Sequence, residues 1–136
     1  MSFRPIRYDS GRLCQLPLAV SQTITKGMGL KWSSGYLTVI ETGSYQDTRF
    51  VAMEDVTTSD SQHTLITVIP TDPDIQFEAG CSHVVSVVDR GTYADIATSG
   101  TIDPDGSTYN DFYVTDIVGA AETSTTVLGY FTHTIA

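Results

Sequence analysis

The side chains able to do acid–base or metal chemistry fall into three sets. The histidines are His63, His83 and His133; none lies three or four residues from another, or beside a Cys or acid at ligand spacing. Two loops concentrate carboxylates: "TDPDIQFE" carries Asp72, Asp74 and Glu78, and "DPDGSTYND" carries Asp103, Asp105 and Asp111. Calcium takes about six to eight oxygens, and an Asp-x-Asp-Gly opening suits such a loop. The second loop departs from the calcium pattern at Ser107 and supplies no late Glu, whereas Asp-Pro and Asp-Gly are ordinary tight-turn pairs. Turns are therefore expected, with no metal site and no cofactor. Cys14 and Cys81 sit in no Cys-x-x-Cys or His-rich pattern, and read as two buried free thiols in a reducing compartment.

Nucleophile and nucleotide signatures are missing too. The chain has no Gly-x-Ser-x-Gly, no P-loop and no Gly-x-Gly-x-x-Gly; "KGMGLKW" (Lys26–Trp32) has two of the glycines but neither the third nor a following helix. Those glycines read as backbone devices that bend the chain into a strand. Acidic residues offer pairs that a glycosidase could use, but nothing singles one out. No enzymatic activity is expected.

The elements that would position these residues are strands. Thr occurs 20 times and Lys twice among 136 residues, a balance that favours sheet over exposed helix. Nine candidate strands are Leu13–Val20, Met28–Trp32, Tyr36–Glu41, Thr48–Met53, Thr64–Ile69, Ile75–Glu78, His83–Val88, Phe112–Val118 and Thr126–Thr134. Turn chemistry separates them ("SSG", "ETGS", "TSDSQ", "TDPD", "DRG", "TSG", "DPDG", "GAAETS"). This pattern predicts an all-β fold: a compact antiparallel sandwich or barrel, with one short helical turn over Asp89–Ala97 at most. Pro17 confines the first strand to an edge or bulge. "TLITVI" and "HVVSVV" are apolar at nearly every position, as in strands buried on both faces, so a subunit contact, a crossing arm or a short helix must cover the second face.

Charge divides the chain. Residues 1–31 carry five basic groups and one acid, whereas residues 32–136 carry two basic groups and fifteen acids; the net is −9. An acidic body argues against nucleic-acid binding, which releases counterions through cations. No run approaches the roughly 18 apolar residues of a membrane span, and the leading "MSFRPIRYDS" lacks the apolar stretch of a secretory signal. The chain is expected to comprise an extended N-terminal arm, residues 1–12, and a single β domain, residues 13–136. The basic arm is expected to dock on an acidic protein surface.

The stretch "TITKGMGLKWSSGYLTVIETGSYQDTRFVAMEDVTT" resembles the ribbon common in head decoration (cement) proteins of tailed bacteriophages. There a Lys-Gly turn leads into a strand, a Gly turn and a second strand, followed by Phe-Val-Ala-x-Glu-Asp and a polar stretch. The second half, "TLITVIPTDPDIQFEAGCSHVVSVVDRGTYADIATSG" with a closing "STTVLGYFTHTI", is similar to a phage capsid-associated family. The resemblance covers roughly residues 20–136. It implies a non-enzymatic protein, made in the host cytoplasm, that binds the outer surface of the major capsid protein lattice as a homotrimer and clamps neighbouring coat subunits. On that reading Phe3, Arg4, Ile6, Arg7 and Tyr8 form the docking arm, and Trp32 and Tyr36 a second patch. Removing Met1–Ser10 would then abolish docking and leave fold stability almost unchanged. The alternative expectation is a glycan- or receptor-binding β module of a fibre or tail, with Tyr-bearing loops such as "DGSTYNDFYV" meeting sugar rings.

Overall fold

The computed structural model describes residues 2–40 and 47–132. The ends of the expected strands Tyr36–Glu41 and Thr126–Thr134, and His133, lie outside the described residues. Within them the chain forms thirteen strands: β1 (Phe3–Pro5), β2 (Cys14–Pro17), β3 (Thr23–Ile24), β4 (Gly29–Ser33), β5 (Tyr36–Val39), β6 (Phe50–Ala52) and β7 (Val56–Thr57). There follow β8 (Leu65–Pro70), β9 (Phe77–Cys81), β10 (Tyr93–Thr98), β11 (Thr101–Asp103), β12 (Phe112–Ile117) and β13 (Thr126–Phe131). The helical content is two 3-10 turns, Ser10–Arg12 and Val87–Asp89. The fold is all-β.

The strands make two main sheets and a two-stranded ribbon, β3 with β7. The first sheet runs β2-β8-β6-β4-β5. One parallel bridge, Leu18 with Leu37, ties its two outer strands together. Pro17 therefore sits at the end of an outer strand, as its missing N–H requires. The second sheet runs β1-β9-β11-β10-β12-β13, and β13 returns to pair with β9, closing a five-stranded barrel. β9 shares one edge between β1, at Phe77–Ala79, and β11, at Gly80–Cys81, and gives the other to β13.

Alternation along each strand produces two cores. Leu18, Leu30, Leu37, Phe50, Ala52, Ile66 and Val68 fill the first sheet's interior. Their neighbours Val51 and Ile69 point the other way, into a larger cluster with Phe3, Phe77, Ile96, Ile102, Phe112, Val114, Val127 and Phe131. This accounts for "TLITVI": Ile66 and Val68 face one core and Ile69 the other, so the chain's own second sheet covers the far face. Phe131 is the hub of the larger core, edge-on to Phe3, Phe77 and Phe112 at centroid distances of 5.0, 5.0 and 5.2 Å. Gly129 makes room for this packing, since a Cβ there would lie 2.1 Å from the Tyr113 carbonyl oxygen and 2.5 Å from the Phe112 ring.

Three expectations are corrected. "HVVSVV" is not a strand: Ser86 and Asp89 form a reciprocal capping box that winds Val87–Asp89 into a 3-10 turn, and of the four valines only Val85 is buried. The helical turn over Asp89–Ala97 is instead strand β10, entered through Gly91 at φ 78°, with Ala94 and Ile96 inward. The leading segment is extended, but it does not project: Phe3–Pro5 pairs antiparallel with β9, and Phe3 is 1% exposed.

Candidate functional site

The residues expected to form a docking arm divide between core and surface. Phe3 is core. The Arg4 guanidinium reaches Glu78 at 2.6 Å across the β1–β9 ladder. Ile6 is half-buried and donates its N–H to the Gln76 carbonyl at 2.9 Å, whereas Arg7 and Tyr8 are exposed. The outer edge of β1 offers no free donor, because the Phe3 N–H is taken by the Gly27 carbonyl at 2.9 Å and Pro5 has none. Pairing of this edge with a foreign strand is thereby discouraged. Beside it runs an open groove of about 330 Å³, lined by Arg4, Tyr8, Lys26, Gly27 and Met53 among others.

Part of the leading segment's basic charge is answered within the chain. Arg12 pairs with both acids of the "TDPD" turn, with Asp74 at 2.9 Å and with Asp72. The hydrogen bond from Arg12 holds the Asp74 carboxyl below the ordinary carboxylate range, and the same bond raises the guanidinium. With Glu78 on Arg4, all three acids of "TDPDIQFE" are engaged by arginines. Two of the leading segment's basic groups, Arg4 and Arg12, are thus engaged by the chain's own acids.

Trp32 and Tyr36 do not form one patch. Trp32 pairs with Leu37 and Tyr36 with Ser33, which puts the two rings on opposite faces of the β4–β5 hairpin. Trp32 packs edge-on against Phe50 at 5.6 Å and is 44% exposed. Tyr36 stacks flat on His63 at 3.6 Å, and the His63 Nδ1 lies 2.8 Å from the Leu18 carbonyl oxygen.

Residue spacing did not announce the most exposed apolar segment among the described residues. Val87 and Val88, on the turn that the capping box winds, are 50% and 72% exposed, and Val84, two residues before the cap, is 46% exposed. Val85, buried between them, exchanges backbone hydrogen bonds with Ser124 and Glu122 at 2.9 and 2.8 Å, so the turn is anchored on the loop before β13. The turn presents its valines from a fixed base.

His83 precedes these valines and meets two carboxylates. Its Nε2 lies 3.0 Å from Asp103 Oδ1 and 3.3 Å from Asp105 Oδ2. Desolvation pulls the imidazole pKa down, but the Val84 carbonyl, the Asp103 hydrogen bond and both carboxylate charges carry it above its ordinary value. Linear spacing hides this cluster, because β9 and β11 run parallel and bring residues 20 apart to one end of the barrel. The other acids of this region are structural. Asp111 is 1% exposed and accepts the Ile96 N–H at 3.0 Å; Asp95 takes the N–H groups of Thr108, Tyr109 and Asn110 at 3.0, 2.7 and 2.9 Å.

Both thiols are free, but they differ. Cys81 is buried, and desolvation pushes its pKa up to about 12, so it carries no nucleophilic thiolate near neutrality. Cys14 is exposed on β2, against the expectation that both would be buried. Comparison of the chain with protein-family profiles, curated proteins and solved structures found no match.

Proposed function

We propose that this protein is a capsid decoration protein that binds the outer surface of a tailed phage's major capsid protein lattice as a homotrimer and stabilises the head. The observation that carries the reading is the anchored turn with Val84, Val87 and Val88 turned to solvent. Large apolar side chains held rigidly outward on a strongly acidic domain are what a docking surface needs and what a solitary monomer avoids. The contact surface in this reading is the valine turn, in place of the leading segment.

Magnitudes favour several copies acting together. Full burial of a valine is worth roughly 1.5–3 kcal/mol, and three of them barely offset the roughly 4–15 kcal/mol lost on association. A trimer gripping several coat subunits at once gains avidity without further contacts. Such a clamp resists internal pressure by binding alone.

Copy number in purified virions tests the reading. A decoration protein is present in amounts approaching the coat protein; a handful of copies would assign it to tail or fibre. The glycan-binding alternative draws on Tyr109, 37% exposed on the loop that Asp95 rigidifies, and a glycan screen with saturable binding lost in Tyr109→Ala would favour it.

A further inference from the structure

We propose that His83, Asp103 and Asp105 form a binding site for a first-row divalent metal ion of the zinc class, with its remaining coordination open to solvent. The topology creates the site. Parallel pairing of Ile102 with Cys81, continued by the Ser82 N–H bond to the Ile102 carbonyl at 2.9 Å, makes β9 and β11 leave the barrel side by side. His83 and Asp103 are the next residues on each. The Asp103–Gly106 turn then folds Asp105 back beside them, closed by the Gly106 N–H on the Asp103 carbonyl at 3.1 Å.

Three observations point to a cation. The three donor atoms lie within 4.8 Å of one another, and separations of 3.0 and 3.3 Å from Nε2 match neighbouring ligands around one ion at roughly 2.0–2.2 Å. The imidazole orientation is the second. Nδ1 faces the Val84 carbonyl oxygen at 3.4 Å, which leaves Nε2 as the ring nitrogen turned to the carboxylates. Two anionic oxygens thus face Nε2, an arrangement satisfied by positive charge at that point, carried by a ring proton or by a metal ion. The third is the local charge: among the described residues, His83 is the only basic group paired with Asp103 or Asp105, and Asp95 stands opposite Asp103 in the ladder.

Donor type sets the selectivity. One imidazole nitrogen and two carboxylates suit zinc and its neighbours, whereas calcium seeks about six to eight oxygens. A bound ion would fasten the start of the valine turn to the β11–β12 loop. The site itself does not depend on what the valines bind.

The test titrates zinc chloride, then calcium chloride, into the intact protein at pH 8, with calorimetry and thermal unfolding as readouts. A Cys14→Ser background removes the exposed thiol as a competing ligand. The expected result is saturable binding of one zinc per chain with a raised Tm, no response to calcium at equal concentration, and at least about tenfold weaker zinc binding in His83→Gln and in Asp105→Asn. Asp105 is 76% exposed, so its variant folds even if His83→Gln does not. Zinc binding that survives both substitutions, or none up to about millimolar zinc, overturns the proposal and leaves a protonated His83 as the only bridge between the carboxylates.

Discussion

The Phe3 ring meets the Phe131 ring edge-on, with centroids 5.0 Å apart and planes at 74°. A residue near the start of the chain thus packs on one near its end, and the leading segment completes the core. Phe3→Ala removes the ring from a site 1% exposed, a loss of about 3–5 kcal/mol for a phenylalanine in a core. Thermal unfolding is expected to show a Tm lower by roughly 10 °C or more. Deleting residues 1–10 is expected to cost at least as much, the reverse of what a free arm implies.

Gly129→Ala is expected to destabilise severely, because the new methyl would meet the Tyr113 backbone at 2.1 Å and neither strand can move aside inside a closed barrel. Gly35→Ala supplies the contrast. Gly35 has φ 86° with nothing within 4 Å, so its substitution carries only the strain of the left-handed backbone, about 1 kcal/mol. Denaturant unfolding of the two variants should differ plainly in midpoint.

The Arg12–Asp74 pair gives an acid-side pH dependence. The folded-state pKa of Asp74 lies below the unfolded one, so its contribution is present above the ordinary Asp value of about 3.9 and is lost as pH falls through the lowered folded value. Arg12→Gln should therefore lower Tm near pH 6 and bring wild type and variant together at the acid end. A constant difference between them down to pH 2 would deny the pair its role.

The two thiols should separate under a maleimide at pH 8. Cys14 is expected to label in the native protein and Cys81 only on unfolding, since burial holds Cys81 protonated and out of reach. Mass spectrometry would read one adduct per native chain and two per denatured chain.

Local patterning told much of the fold but not which surfaces meet. The apolar run Leu65–Pro70 reads as a doubly buried strand from its residues, yet that Val51 and Ile69 face the second sheet of the same chain is a fact of topology. "HVVSVV" carries the same apolar signal and means the opposite, because Ser86 and Asp89 three residues apart close a capping box before a strand can form. β10 went unread because Ala94 and Asp95 are poor strand formers, although Ala94 and Ile96 keep the two-residue period. His83 meets Asp103 and Asp105 only because two strands pair in parallel, and no linear spacing carries that.

Co-sedimentation with expanded capsids stripped of this protein, comparing wild type with a Val87→Ser/Val88→Ser variant, tests the docking face most directly. Wild type is expected to saturate the capsids at copy numbers comparable to the coat. The variant, with Tm unchanged because both side chains are already at least half exposed, is expected to stay in the supernatant. Equal saturation by both proteins, or a wild type that never pellets with the capsids, would contradict the account.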